Sequence, residues 1–170
     1  MRLLALAGLA AALLASPALA QSVALKGPDG QTASLSAADL AAMPHVSLTV
    51  TQHGKTSTYE GVLLGEILTK VGAASGKAIH GPEMATVVKV SASDGYQVVL
   101  GLAETDPGTR ADKIILADRA DGAPLKEDGP FRLVVGGDLR PARSARMVQS
   151  IQVIRMSDAK PAAMPAEHKH

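Results

Sequence analysis

The sequence has no cysteine and no tryptophan, one phenylalanine and two tyrosines among 170 residues. Without cysteine no disulfide can form, so the hydrophobic core must hold the fold unaided. With so few rings, that core must be aliphatic, built from Val, Leu, Ile, Ala and Met. Charge of either sign is also not in excess: 17 Lys+Arg stand against 16 Asp+Glu, a formal net charge of +1. A chain with neither a positive field nor stacking aromatics is a poor nucleic-acid binder, and nucleic acid is excluded as a partner. P-loop, dinucleotide fingerprint, zincin and G-x-S-x-G motifs are all missing.

One long hydrophobic run is present, at the N-terminus. MRLLALAGLAAALLASPALA places a single cation, Arg2, before an apolar stretch from Leu3 to Leu14, then Pro17 and the small-residue site Ala18-Leu19-Ala20. This is the layout of a cleavable secretory signal over residues 1–20, too short for a membrane span. It predicts a periplasmic or secreted protein that begins at Gln21, with no transmembrane segment left after cleavage. Removing Arg2 leaves 16 Lys+Arg against 16 Asp+Glu, a neutral mature chain. That chain has single-domain length, enough to bury roughly two-thirds of its unfolded surface.

Along the mature chain, Val23–Leu25 and Gln31–Leu35 read as strands around the turn Gly27-Pro28-Asp29-Gly30. Ser36-Ala37-Ala38-Asp39 is a capping-box-like start, with Asp for the usual Glu, to a short helix ending near Met43. Val46–Thr51 and Thr56–Glu60 read as a hairpin turning at His53-Gly54. From Gly61 to Gly72 the period becomes helical, with Gly72 at the C-cap. Ala73–Pro82 reads as a loop. Strands follow at Thr86–Ser91, Tyr96–Leu100, Lys113–Asp118, Phe131–Val135 and Ser150–Ile154. Asp94-Gly95 and Asp121-Gly122 are turn signals. Residues 21–157 form one domain, and the aperiodic residues 158–170 a flexible tail. The fold class is α+β: a single mixed, β-rich domain with few short helices.

Tyr59-Glu60-Gly61-Val62-Leu63-Leu64 leads into Ile67-Leu68 and Gly72. Asp94-Gly95-Tyr96, Leu116-Ala117, Gly122-Ala123-Pro124-Leu125 and Gly129-Pro130-Phe131-Arg132-Leu133-Val134-Val135 then follow in order. Together, over Val46 to Ile154, these segments resemble the molybdopterin-binding domain of the sulfite oxidase family. The resemblance implies that family's fold and, as cofactor, molybdopterin. It also implies a cysteine thiolate on molybdenum shortly before the Tyr59–Leu64 segment, where this chain has Thr49-Val50-Thr51-Gln52-His53-Gly54. Thr, Gln and neutral imidazole are harder, weaker donors than thiolate. The family's exported enzymes carry a preloaded cofactor through the twin-arginine route, whereas Met1-Arg2-Leu3 has one arginine. Two requirements of molybdenum catalysis thus fail together, so the chain leans away from being an enzyme and no cofactor is expected.

Arg140-Pro141-Ala142-Arg143-Ser144-Ala145-Arg146, with Arg132 upstream, is the densest cationic feature. It follows Gly136-Gly137-Asp138, whose backbone N–H groups can approach a ligand closely. Planar guanidinium groups grip phosphate or carboxylate bidentately, which makes Arg132, Arg140, Arg143, Ser144 and Arg146 candidate ligand-binding residues for a small anion. The competing reading is a solvated loop paired with Asp112, Asp118, Asp121 or Asp138. His53 joins the candidates by its position near the lost ligand; alone, it reads as a turn histidine facing water. Glu104, Asp106 and Asp112 lack a calcium-loop spacing. In the tail, Met164, Glu167, His168 and His170 offer copper or zinc ligands without preorganised geometry. No catalytic residue is assigned.

Three functions compete on these residues. The first is an exported, non-catalytic module that binds a small anion, a pterin or a periplasmic protein partner. The second is a molybdopterin-dependent oxidoreductase holding its cofactor without a cysteine. The third is copper or zinc handling by the tail.

Overall fold

Period-two burial builds most of the structure, a computed structural model that describes residues 21–52 and 54–156. The predicted signal, His53 and the whole predicted tail, with Met164, Glu167, His168 and His170, lie outside the described residues. Strands β1 (Ser22–Lys26) and β2 (Thr32–Ser36) form the first hairpin. Helix α1 (Ala37–Ala41) follows, shorter by two residues than the spacing predicts. Its capping box is complete: the Asp39 N–H donates to the Ser36 hydroxyl at 3.1 Å, and the Ser36 N–H donates to the Asp39 carboxylate at 2.9 Å.

Strands β3 (Val46–Gln52) and β4 (Lys55–Leu63) make the second hairpin. Here the structure corrects the sequence reading, because Gly61-Val62-Leu63 extends the strand instead of opening the helix. These residues pair with Ala117, Leu116 and Ile115 of β7 (Ile114–Ala120) across a register shift at Glu60/Gly61. Gly61 permits that approach: a Cβ there would lie 2.2 Å from the Leu116 carbonyl oxygen. Only Leu64–Thr69 form helix α2, which buries Leu64, Ile67 and Leu68. It closes as predicted at Gly72, where φ is +78°. The Gly72 and Ala73 N–H groups donate to Thr69 and Leu68 carbonyls, the Schellman pattern.

The remaining strands are β5 (Thr86–Ala92), β6 (Gln97–Gly101), the two-residue β8 (Ala123–Pro124), β9 (Arg132–Val135) and β10 (Val148–Arg155). One sheet runs β2-β1-β10-β5-β6, with β1 and β10 parallel. The other runs β3-β4-β7-β8, with β9 also on β7. An aliphatic core joins both sheets and α2 through Leu25, Val90, Ile151, Leu116, Leu133 and Ile67, with Phe131 among them. Alternate residues of the second sheet, Ile115, Ala117 and Val134, pack with Tyr59 in a smaller cluster. Arg132 shares that face with Val134, opposite to Leu133, so its guanidinium lies over the Tyr59 ring, 5.0 Å from the centroid. No helix among the described residues is long and apolar enough to cross a membrane.

Candidate functional site

A cleft of about 900 Å³ opens where the end of β3, the β5–β6 turn and the loop after β9 meet. β3 supplies Thr51 and Gln52, the turn supplies Asp94 and Tyr96, and the basic segment supplies Arg132, Arg140, Ser144 and Arg146. The turn is local chemistry: the Asp94 carboxylate accepts the Tyr96 N–H at 2.9 Å, and Gly95 takes φ of +86°. The Tyr96 hydroxyl donates to the Ala142 carbonyl at 2.6 Å and so fastens the first sheet to the basic loop.

The arginines divide into two sets. Arg132 is 8% exposed, ion-paired with Asp128, and its Nε is a buried donor with no partner among the described residues. Arg146 reaches the other oxygen of Asp128 at 3.3 Å while remaining largely exposed. Arg140 is exposed and makes no ion pair among the described residues. These three face the cleft. Arg143 does not line it. Its Nε and Nη2 grip Asp138 at 2.9 and 2.7 Å, and its Nη1 donates to Glu104 at 2.9 Å. Arg110 completes the cluster, 3.1 Å from Glu104 and 3.6 Å from Asp138. The Ser144 hydroxyl is buried and accepts the Val135 N–H at 3.1 Å, which ties the loop to β9.

Each charge is tuned by these contacts. The Arg143 hydrogen bonds hold the Asp138 carboxyl below its ordinary 3.8. Burial pushes the Glu104 carboxyl up, but the Gly101 N–H and Arg143 outweigh it, and the net shift is downward. Asp138 in turn raises Arg143, so the guanidinium is charged at every working pH.

The competing loop reading therefore holds for Arg143 alone of the foreseen pairings, with Asp138 as partner. Asp118 instead faces His45 Nε2 at 3.2 Å, and Asp121 accepts the Thr58 N–H at 2.8 Å. Glu104 and Asp128, the other two carboxylates on these arginines, carry no local sequence signal for that role. Asp128 stands four residues before Arg132 and 18 before Arg146, so only the folded loop joins the three. Among the described residues no three His, Asp or Glu side chains gather as a metal centre would need.

Against the cofactor that the resemblance implies, the cleft fits one end and not the other. The guanidinium groups of Arg132, Arg140 and Arg146 suit a phosphate. The wall at the end of β3 offers only oxygen and nitrogen, and the Thr51 hydroxyl is already paired with Thr56 at 2.8 Å. Among the described residues no sulfur ligand stands there for a soft redox metal.

The comparisons with known proteins follow the fold. A solved structure, the sulfane dehydrogenase SoxCD from Paracoccus pantotrophus, superposes with a TM-score of 0.60 at 18% identity, covering 79% of this chain. The chain spans 38% of the length of that protein, and the likeness is one of fold. No curated protein matches. The family model for the oxidoreductase molybdopterin binding domain matches residues 16–162, nearly the whole chain. The chain belongs to the oxidoreductase molybdopterin binding domain family, whose fold it carries around an arginine-lined cleft.

Proposed function

We propose that the protein is an exported, non-catalytic member of this molybdopterin-binding family, in which the cleft holds a small anion or the phosphate end of a pterin. The observation that carries the reading is the pairing of two features in one wall. Arg132, Arg140 and Arg146 line the cleft together, Arg132 with a buried Nε that meets no acceptor among the described residues, while the stretch where the resemblance places the thiolate, Thr49 to Gly54, holds no cysteine. A hydrogen bond to a charged group contributes about 1.5–3 kcal/mol, and the exposed guanidinium groups of Arg140 and Arg146 can each donate to an oxyanion in the cleft. Export is supported by Arg2, the apolar run behind it and Ala18-Leu19-Ala20.

The test is titration of the purified protein with inorganic phosphate, followed by calorimetry. Replacing Arg140 and Arg146 together by Ala is expected to weaken binding at least tenfold, since a hydrogen bond to a charged group contributes about 1.5–3 kcal/mol. An unchanged constant overturns the anion site. N-terminal sequencing of protein from the periplasmic fraction should begin at Gln21; recovery of full-length chain from the cytoplasm overturns export.

A second reading is favoured by family membership itself. The same cleft would hold molybdopterin through its pterin and phosphate, the cofactor supplying redox chemistry at a metal without a protein thiolate. Stoichiometric molybdenum in protein from a molybdenum-competent host would establish it in place of the first.

A further inference from the structure

Resting on the reading of the cleft as an anion site, we propose that Asp128 is its positioning residue, a carboxylate that strengthens anion binding by orienting two arginines. Asp128 does not line the cleft. It stands behind the wall, with one oxygen on Arg132 Nη1 and the other on Arg146 Nη1. A carboxylate with its two oxygens on two different guanidinium groups fixes their spacing as well as their direction. Arg132 is held a second time by the Tyr59 ring beneath it. Arg146 is 62% exposed and its side chain has no other partner among the described residues, so Asp128 alone restrains it. The loop carrying Asp128 is tied to the same place by backbone, since the Met147 N–H donates to the Asp128 carbonyl at 3.0 Å. Met147 holds φ of +48°, uncommon for a residue with a side chain, directly after Arg146.

The assignment makes a prediction whose sign separates it from simple electrostatics. If Asp128 were only a counter-charge, neutralising it would raise the positive potential of the cleft and tighten anion binding. As a positioning residue, its loss frees Arg146 and leaves Arg132 without its ion-pair partner, and binding weakens. The measurement is the affinity for inorganic phosphate of the full chain at fixed low salt, by calorimetry. Asp128→Asn is expected to bind about tenfold more weakly than wild type. Asp128→Glu keeps the charge, displaces the carboxylate by one methylene, and serves if Asp128→Asn does not fold. It too is expected to weaken binding several-fold. Tighter binding by Asp128→Asn, or wild-type affinity in Asp128→Glu, overturns the assignment while leaving the anion site standing. Phosphate binding absent from the wild type, or untouched by the Arg140/Arg146 double replacement, removes the anion site itself and Asp128 with it.

Discussion

Arg140 and Arg143 are three residues apart in one loop, yet they do different work. Arg143 is taken up by Asp138 and Glu104, and it anchors the loop; Arg140 faces the cleft without a counter-ion among the described residues. The two acids have folded pKa values below their ordinary ones, so their ion pairs stabilise fully above the unfolded values. That contribution is lost as pH falls through the range below 4.5 for Glu104 and 3.8 for Asp138. Arg143 is about a third exposed, which screens the cluster. Arg143→Ala is expected to lower stability at pH 7 by about 1 kcal/mol, the screened value for such a pair. Because the variant has less to lose in acid, its deficit should narrow between pH 7 and pH 3 in urea unfolding. A deficit equal at both values would mean that packing of the arginine stem, not its charge, holds the loop. Asp138, five residues before Arg143, is a local partner open to any arginine of the loop, and only the fold, which brings in Glu104 from 39 residues away, singles out Arg143.

At the scale of elements, what was legible in the sequence is what local chemistry decides. Ser36 and Asp39 fix the start of α1, Gly72 the end of α2, and Asp94-Gly95 and Asp121-Gly122 the hairpin turns. Asp121 and Gly122 both take positive φ, as a two-residue hairpin requires. What stayed hidden is what pairing decides. Val62 and Leu63 sit at helical spacing with Ile67 and Val71, but β7 takes them as strand because Gly61 lets its backbone close in. Strand β8 is only two residues long, below any periodic signal. Two glycines then separate the two kinds of constraint. Gly72→Ala forces a side chain into left-handed backbone with nothing nearer than 3.4 Å, and should cost about 1 kcal/mol. Gly61→Ala must push β4 off the Leu116 backbone, and should cost about 3 kcal/mol, the upper end for overpacking. Thermal unfolding of the two variants reads the order; Gly72→Ala as the worse of the two would deny the close approach at β7.

For the whole molecule, the lack of disulfides puts most of the cohesion in the larger, mainly aliphatic core shared by both sheets. Leu116 and Leu133 from the second sheet and Val90 and Ile151 from the first belong to the same buried cluster. The cleft depends on that union, since its walls come from both sheets and Tyr96 bridges them to the basic loop. Cooperative unfolding follows: once the sheets part, the first loses its buried face and the second keeps only the small cluster around Tyr59. The two tyrosines make this measurable, because Tyr59 lies on β4 of the second sheet and Tyr96 immediately before β6 of the first. In Tyr59→Phe and Tyr96→Phe chains, the remaining tyrosine reports each sheet separately by fluorescence. Within each variant, the urea midpoint from that signal is expected to coincide with the midpoint from far-UV circular dichroism. Leu116→Ala, which opens a cavity in the shared core at a cost of about 2–5 kcal/mol, should move both signals together. Midpoints that separate, with Leu116→Ala shifting Tyr59 and sparing Tyr96, would mean two cores in place of one, and a cleft whose walls can part without unfolding the chain.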